Sequence, residues 1–416
     1  MKAVIIILIT SLFSTKLYPQ FSDTIPFQDP TTEKFGVKIL SSGKILVEPK
    51  YDDLNFPEEG LLLARLDGKT GFINVNGKVV VPFKYHDANN FSDGMAAVSQ
   101  ETKAGWKIGF VDKSGKLVID LKYYSIYLDR TRFVNGFAVV RKTSDECGVI
   151  DKTGKEITPF IYSYIYDFEK NITTVGKSGK WALMDKTGKE LTAFKYDFLE
   201  EPYYYVEDLI KMEVAGKIGF LDHSGVEIVP PYFEEVGWFS EDLCPVRAGE
   251  KWGYIDNKGK NVLKYQFTYA DIFSEGLALI SYSDMAGDVI YYKYIDKTGN
   301  MIIAVKGGTP SVYANFSDGA ALMIDAESKY FFINKTGSPI SADRYEFAEQ
   351  FSDGLASVCN EGKCGYIDNT GKVVIPLNYV AASPFFNGFA TVTILSEAGN
   401  EISQIIDKTG KVLGSY

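Results

Sequence analysis

The sequence predicts an all-β protein made of tandem repeats, each a small antiparallel sheet. Glycine recurs at a regular spacing, short apolar segments recur in a fixed order around it, and no segment of comparable length has helical periodicity. From residue 35 to the end, eleven equivalent glycines are separated by steps of 34 to 40 residues. These anchor glycines are Gly43, Gly77, Gly115, Gly154, Gly188, Gly225, Gly259, Gly299, Gly337, Gly371 and Gly410.

Three segments make up each repeat and are typical of strands. The first is the alternating run "GYID" at 253–256. The second follows the anchor glycine, as in "KVVVPFKY" at 78–85, and the third is "FSDGMAAV" at 91–98. All are rich in β-branched and aromatic residues and are bounded by Gly, Asn, Asp or Pro. Each repeat is therefore predicted to contain about three antiparallel strands.

A hairpin turn is predicted between the first two strands. Asp precedes the anchor glycine by three residues in eight of the eleven repeats, and Asn74 and Asn334 supply two more. Such a side chain caps the turn, while glycine accepts the left-handed conformation that closes it. Calcium needs several converging oxygens, whereas each turn has one carboxylate beside a lysine, so no metal site is predicted.

Aromatic residues recur eight positions after the anchor glycine, and proline recurs five positions after it in four repeats. We expect the aromatic row to form a core ladder, with an exposed platform for sugars as the alternative. Because proline cannot donate to a ladder, the second strand is expected to end there or to run along a sheet edge. The aromatics are Tyr51, Tyr85, Tyr123, Tyr162, Tyr196, Phe233, Phe267, Tyr345 and Tyr379, and the prolines are Pro82, Pro159, Pro230 and Pro376.

The third segment opens on Phe, Ser and an acidic residue, followed by Gly. The phenylalanines are expected to fill the space between neighbouring repeats, and the acids to serve the turn and not catalysis. The phenylalanines are Phe91, Phe273, Phe316 and Phe351, and the acids are Asp93, Glu275, Asp318 and Asp353.

Stacking must complete the fold, because one repeat cannot bury both faces of three short strands. We expect an elongated or superhelical array. A closed, propeller-like toroid is the alternative, since propeller blades usually have four strands. The predicted domains are a signal peptide at 1–20, a linker at 21–34, and a repeat array at 35–416 with ten repeats and a partial C-terminal one.

The amino end is typical of a secretory signal peptide. One Lys precedes an apolar run from Ala3 to Thr10, which is too short to span a membrane. An uncleaved anchor is the alternative. We place cleavage near Gln20 and expect a secreted or periplasmic protein with no membrane insertion after cleavage. The formal net charge of −10, without a long basic run, argues against a nucleic acid partner.

With these segments in place, the chain resembles the WG-repeat (KWG) family of exported bacterial β-repeat proteins. "KWGYIDNKGK" at 251–260, followed by "FSEGLALI" at 273–280, is similar to the signature of that family. The resemblance implies an all-β array with no established catalytic residues. Trp fills its signature position only at Trp181 and Trp252, while residues such as Ile108, Tyr330 and Cys147 occupy it elsewhere. This variety indicates a packing position.

No constellation for catalysis or cofactor binding emerges from the sequence. Only His86 and His223 occur, neither recurs, and no His/Cys cluster has zinc spacing. We therefore predict no catalytic residues, no metal and no cofactor.

Export permits disulfides, and two cysteines flank a short hairpin. We hypothesise a disulfide between Cys359 and Cys364. Cys147 and Cys244 lie in separate repeats and are expected to be free and buried.

The repeat loses its regular form between about residues 161 and 212, after an insertion, "YYSIYLDRTRF", at 123–133. We expect tyrosines of this stretch to stack on sugar rings or on side chains of a partner, with divergent packing as the alternative. The candidate ligand-binding residues are Tyr162, Tyr164, Tyr166, Tyr203, Tyr204 and Tyr205. The sequence thus favours a non-enzymatic exported protein that binds or scaffolds a protein or glycan partner. The alternative is a hydrolase of cell-surface polymers that uses two carboxylates.

Overall fold

The computed structural model describes residues 24–39, 42–124, 128–201, 209–283, 290–396 and 399–415. Within these ranges the chain forms eleven antiparallel sheets of three or four strands, numbered sheet 1 to sheet 11 in chain order. The strands of each sheet are hydrogen-bonded in the order in which they occur along the chain. The all-β class and the small antiparallel sheet as the repeated element are therefore confirmed. The described residues contain no helix that is long and apolar enough to cross a membrane.

The described residues divide into two compact bodies, and the N-terminal body comprises those up to residue 194 together with Glu201. It holds sheets 1 to 5 and a short 3-10 turn at Leu128–Arg130. Sheet 1 contains β1 (Thr24–Gln28), β2 (Phe35–Ile39) and β3 (Ile45–Tyr51); sheet 2 contains β4 (Asp53–Leu54), β5 (Leu61–Leu66), β6 (Lys69–Asn74) and β7 (Val79–Tyr85); sheet 3 contains β8 (Asp87–Ala88), β9 (Met95–Thr102), β10 (Gly105–Asp112) and β11 (Leu117–Tyr124); sheet 4 contains β12 (Phe133–Val134), β13 (Phe137–Arg141) and β14 (Cys147–Asp151); sheet 5 contains β15 (Tyr164–Ile165), β16 (Ile172–Lys177) and β17 (Lys180–Asp185).

The C-terminal body comprises residues 195–200 and the described residues from 209 to 415, and it holds sheets 6 to 11. Sheet 6 contains β18 (Phe198–Leu199), β19 (Leu209–Val214), β20 (Lys217–Asp222) and β21 (Glu227–Phe233); sheet 7 contains β22 (Glu235–Val236), β23 (Leu243–Ala248), β24 (Lys251–Asp256) and β25 (Asn261–Phe267); sheet 8 contains β26 (Tyr269–Ala270), β27 (Ala278–Ser283), β28 (Ile290–Ile295) and β29 (Met301–Ala304); sheet 9 contains β30 (Thr309–Pro310), β31 (Ala320–Ile324) and β32 (Tyr330–Asn334); sheet 10 contains β33 (Phe347–Ala348), β34 (Leu355–Asn360), β35 (Lys363–Asp368) and β36 (Val373–Tyr379); sheet 11 contains β37 (Ala381–Ala382), β38 (Phe389–Leu395), β39 (Glu401–Asp407) and β40 (Val412–Ser415).

Three predictions about organisation were wrong. Seven of the eleven sheets have a fourth strand, which in each of the seven is two residues long and lacks a sequence pattern of its own. These sheets have the strand number and order of propeller blades, so strand count does not favour a solenoid. The segment 21–34, expected to be a linker, contributes β1 to sheet 1. The final repeat is also complete, because sheet 11 has four strands.

The turn chemistry inferred from the sequence is confirmed. In the turn after β10, one carboxylate oxygen of Asp112 accepts the backbone N–H groups of Ser114 at 2.9 Å and Lys116 at 3.1 Å. Gly115 closes this turn with a φ of 84°. A hydrogen bond from the Ser114 hydroxyl, together with the two backbone hydrogen bonds, holds the pKa of the Asp112 carboxyl below its usual value.

The glycine that follows the Trp position of the repeat, which we call the signature glycine, is required by a bulge in the next strand. Trp252 pairs with Phe267 and Tyr254 pairs with Leu263, so Gly253 alone faces residues 264–266 of β25. A β-carbon on Gly253 would lie 2.6 Å from the carbonyl oxygen of Leu263. The prolines agree with this arrangement: Pro82, Pro230 and Pro376 lie in β7, β21 and β36, which are edge strands, and Pro159 lies outside any strand.

The core lies between successive sheets. Phe72 and Tyr85 of sheet 2, for example, pack in one cluster with Phe91 and Val98, which belong to the next repeat. The ring centroids of Phe72 and Phe91 are 4.8 Å apart with an edge-to-face geometry. The aromatic row is buried, except for the partly buried Tyr379, so its members form core and not a sugar platform.

The Phe-Ser-acid-Gly turns also connect neighbouring sheets by polar contacts. Ser92 donates from its hydroxyl to the carbonyl oxygen of Phe133 at 2.7 Å. Asp93 has a φ of 55° and accepts the backbone N–H of Gly136 at 2.6 Å, while its other oxygen lies 2.5 Å from Nζ of Lys152. Asp353 makes the matching contacts with sheet 11. The interpretation of these acids as turn residues is confirmed, and they also bind the next sheet.

Candidate ligand-binding site

The repeat is altered in sheets 4 and 5 of the N-terminal body. Neither sheet has a long strand after its anchor glycine, as sheets 2 and 3 have in β7 and β11. The insertion before sheet 4 instead places the 3-10 turn and the residues up to Arg132 beside β15 of sheet 5, with contacts to Tyr164 and Asp167. The irregular region of the sequence therefore corresponds to a local change in structure.

An aromatic cluster forms on sheet 5. The rings of Tyr166 and Trp181 stack at a centroid distance of 5.7 Å and an angle of 24°, and Tyr164 lies 4.7 Å from Tyr166 and 6.1 Å from Trp181. Gly176 pairs with both Tyr164 and Trp181 across the sheet, and a β-carbon there would lie 3.2 Å from the indole ring. The absence of a side chain at Gly176 thus lets these rings meet.

Three arginines approach the same tyrosines. Arg130 donates to the hydroxyl of Tyr164 at 3.2 Å, and Arg132 forms a 3.1 Å ion pair with Asp167. Arg141, at the end of β13, donates to the carbonyl oxygens of Ser144 at 3.0 Å and Ser163 at 3.1 Å. The whole chain has only six arginines, so half of them are concentrated here.

These groups line a cavity of about 770 Å³, which we call the arginine–tyrosine pocket. Its walls include Arg130, Arg132, Arg141, Tyr164 and Tyr166, together with three carboxylates. The carboxylates belong to Asp145, Asp167 and Glu201. A cavity of this size is in the range of small-molecule sites, and all the residues that line it belong to the N-terminal body.

Tyr166 is held in its neutral form. Burial, followed by the charge of the Glu201 carboxylate and a hydrogen bond to it, raises the pKa of Tyr166. The hydroxyl therefore serves as a hydrogen-bond donor to Glu201. The pocket offers donors from guanidinium groups, acceptors from carboxylates and the faces of aromatic rings, which are means of binding a polar ligand.

The structure separates the tyrosines that the sequence grouped together. Tyr164 and Tyr166 are half-buried and line the pocket. Tyr162 is 2% exposed and packs in the core with Cys147 and Phe168, so the prediction that it contacts ligand was wrong. It had the spacing of the core aromatic row, which should have identified it. Tyr203, Tyr204 and Tyr205 lie outside the described residues.

Sequence reasoning missed the arginines and the role of Trp181. The available signal was the distribution of arginine, because three of the six fall between residues 130 and 141, while Arg65, Arg247 and Arg344 lie singly in other repeats. Trp181 was assigned to packing because its position is variable. Its ring packs against Tyr164 and Tyr166, and not against a long strand after the anchor glycine, which sheet 5 lacks.

The cysteines have the arrangement that the sequence suggested. Cys359 and Cys364 are directly paired residues of β34 and β35, with sulfurs 2.11 Å apart in a disulfide. Cys147 and Cys244 are free and buried, and burial raises the pKa of the Cys147 thiol to about 11. Within the described residues, no group of three or more His, Cys, Asp or Glu side chains is placed to hold a metal ion.

A second, much smaller cavity of about 10 Å³ lies in the C-terminal body beside Glu200, Lys211 and Trp238. Glu200 is 5% exposed and accepts the backbone N–H of Lys211 at 3.2 Å. Burial raises the pKa of this carboxyl to about 7. Such a volume holds about one water molecule, so the acid has no room for a sugar ring beside it.

Solved structures that resemble the chain do so weakly. BamB from Moraxella catarrhalis is 11% identical with a TM-score of 0.24, over 77% of this chain and 94% of that one. Kluyveromyces lactis Hsv2 is 10% identical with a TM-score of 0.30, over 65% and 94% of the two chains. The tricorn protease is 13% identical with a TM-score of 0.26, over 93% and 48%. Similarity at this level supports no statement about function. No curated protein matches the chain significantly.

The match to a sequence family is specific. The model of the WG containing repeat matches the chain eight times and covers more than half of it. The matched segments are residues 41–69, 71–103, 108–144, 148–181, 218–252, 252–284, 330–364 and 365–394. These segments include the signature glycines and the hairpin turns described above. The chain therefore belongs to the family of WG-repeat proteins.

Proposed function

We propose that this WG-repeat protein is a non-enzymatic, exported binding protein whose ligand, a protein or glycan of the cell envelope, occupies the arginine–tyrosine pocket. The observation that supports a binding role most directly is the composition of this pocket. Half of the arginines of the chain and two half-buried tyrosines meet there, in the region where the repeat is altered.

The rest of the repeat array supports a scaffold role. The acids of the Phe-Ser-acid-Gly turns form hydrogen bonds to the next sheet, as Asp93 does with Gly136, and the acids of the hairpin turns cap their own turns, as Asp112 does with Ser114. Residues that recur in every repeat thus serve the fold. The residues that line the pocket are the ones available for a ligand.

Two assays on the purified protein test this proposal. The protein is applied to a glycan array and used as bait in an envelope extract, in each case as wild type, Arg141→Ala and Arg247→Ala. Arg141 and Arg247 occupy the same position of their repeats, opposite Cys147 and Trp252, but only Arg141 lines the pocket. We expect Arg141→Ala to lose a partner that Arg247→Ala retains. Partners bound equally by all three proteins would refute the proposed site.

Export is part of the proposal and has its own test. Expression of the full chain with its amino end intact, followed by mass spectrometry of the product in the periplasm or medium, should show cleavage near Gln20. A full-length product that stays with the membrane fraction would instead support the anchor. The hydrolase alternative is tested by incubating the protein with envelope polysaccharides, because release of reducing ends would contradict a non-enzymatic role.

A further inference from the structure

We infer that the ligand of the arginine–tyrosine pocket is a neutral oligosaccharide. This inference rests on the proposed function, since it names the chemical class of ligand for the same pocket. The alternatives are an acidic polymer and a peptide, and the charges, the aromatic cluster and the lining of the pocket distinguish among the three.

The formal charges of the described residues that line the pocket cancel. Arg130, Arg132 and Arg141 supply three positive charges, and Asp145, Asp167 and Glu201 supply three negative ones. An anionic ligand would bring its charge close to the three carboxylates, and the chain as a whole carries a net charge of −10 that repels anionic polymers. A ligand without net charge avoids both penalties.

Guanidinium and carboxylate groups together suit a ligand that has adjacent hydroxyl groups. A guanidinium presents parallel N–H donors, and a carboxylate presents two acceptor oxygens. Each hydroxyl of a sugar both donates and accepts, so neighbouring hydroxyls can use both groups at once. Arg132 and Asp167 lie side by side with their ion pair at 3.1 Å, and their side chains are 57% and 40% exposed. This pair is therefore accessible to a ligand with hydroxyl groups.

The aromatic cluster supplies the apolar contact that a sugar ring needs. One face of a pyranose ring presents C–H groups, which pack on an aromatic face. Tyr166 lines the pocket and is supported from behind by Trp181, stacked at 5.7 Å. Because its hydroxyl is engaged by Glu201, the ring orientation is fixed before a ligand arrives. A preorganised ring loses less conformational entropy on binding.

The lining does not suit a peptide. Peptide recognition usually depends on an apolar anchor pocket or on a free strand edge that pairs with the peptide. Among the described residues that line the pocket, Val139 and Ile165 are the only aliphatic ones, and Ile165 is itself buried in the core of sheets 4 and 5. The strand that enters the pocket, β15, is two residues long. The described residues of the pocket therefore provide neither an apolar anchor pocket nor a long free strand edge for a peptide.

The test uses a glycan array of neutral, uronate-bearing and sulfated oligosaccharides, together with an unstructured peptide library. The best neutral glycan is then titrated by calorimetry into wild type, Tyr166→Ala, Tyr166→Phe and Arg132→Ala. Loss of stacking or of the guanidinium should lower affinity by about tenfold or more. Tyr166→Phe keeps the ring but loses the hydrogen bond to Glu201 that orients it, so it should bind more weakly than wild type and more tightly than Tyr166→Ala.

Controls separate binding from folding. Tyr291→Ala removes a tyrosine of sheet 8, in the C-terminal body, that is 51% exposed and does not line the pocket, so this variant should bind as wild type does. Circular dichroism checks that each variant is folded, and the exposed Arg132 provides a variant that does not disturb the core. If neutral glycans bind equally to all variants, or none binds, the inference is overturned. If pocket-dependent binding is seen only with acidic glycans or peptides, the ligand class is wrong but the proposed function stands.

Discussion

The carbonyl oxygen of Leu263 lies 2.6 Å from the point that a β-carbon on Gly253 would occupy. The same close approach recurs where the strand after the anchor glycine is long and bulged, as between Gly71 and Val81 at 2.6 Å and between Gly365 and Ile375 at 2.5 Å. Sheets 4, 5 and 9 lack that strand. In sheets 5 and 9 the signature glycine is replaced by Ala182 and Phe331, whereas sheet 4 keeps Gly148, where a β-carbon would lie 3.0 Å from the ring of Phe160. The glycine of the repeat is thus a requirement of the neighbouring strand and not of a ligand.

Replacing Gly253 by Ala should therefore destabilise the protein. The added methyl group meets backbone that cannot move without breaking the pairing of β24 and β25, and overpacking of this kind costs roughly 1–3 kcal/mol. The matched control is Gly414→Ala in β40, where no atom lies within 4 Å of the new β-carbon. Its free energy of unfolding should change by less than about 0.5 kcal/mol. Denaturant unfolding of both variants measures the difference, and equal effects would contradict this account.

The Asp of the hairpin turn should act through its oxygen and not through its charge. Asp112→Ala removes hydrogen bonds to Ser114 and Lys116 and should cost about 1–2 kcal/mol. Asp112→Asn should be much milder, because Asn334 accepts the equivalent N–H groups in its own turn at 3.0 and 3.1 Å. Denaturant unfolding at neutral pH compares the two variants with wild type.

Wild type and Asp112→Asn should also differ in acid. Hydrogen bonds lower the pKa of Asp112 in the folded chain, so its stabilising contribution is complete above the usual value of 3.8 and is lost as pH falls through the lowered value. Asp112→Asn has no such loss. Unfolding curves between neutral pH and about pH 2 test this, and parallel curves for wild type and Asp112→Asn would contradict it.

Glu200 should make stability depend on pH in the opposite sense. Its pKa is about 7 in the folded chain and 4.5 without burial, so the folded chain holds the extra proton between these values. The free energy of unfolding should fall by roughly 3 kcal/mol as pH rises through this window. Glu200→Gln should remove the dependence, while Glu101→Gln at an exposed position should retain it. An unchanged slope in Glu200→Gln would contradict the assignment.

The pairing of Cys359 with Cys364 predicts two free thiols, from Cys147 and Cys244, in the denatured and unreduced protein. A count of four would contradict the disulfide. Because the cysteines are five positions apart, loop closure predicts a loss of about 2 kcal/mol for the Cys359→Ser/Cys364→Ser variant. Wild type under reducing conditions should match that variant in an unfolding experiment.

Much of the fold was predictable because its causes are local. Asp112 and Gly115 form their turn with partners within four residues, and the alternation in "GYID" depends only on the two-residue period of a strand. The burial of Tyr85 and Phe91 followed from their recurrence, because a residue present in every repeat serves every repeat. Such features can be inferred from the order of residues alone.

The two-residue strands and the contacts between sheets could not be inferred in this way. Asp87–Ala88 has no pattern of its own and becomes β8 only because β9 lies beside it. Asp93 reaches Lys152 across 59 positions, and no local rule relates two residues so far apart. These features depend on how one sheet packs on the next.

The candidate site shows the same division. The sequence by itself determined the repeat, its turns and the region where the repeat is altered, because each is a pattern of neighbours along the chain. Only the tertiary structure decided that Tyr162 is buried while Tyr164 and Tyr166 face a cavity, and that Arg130, Arg132 and Arg141 share it. The physical reason is that a pocket is formed by side chains from several strands and an insertion, whose meeting depends on packing between sheets and not on the preference of any one segment.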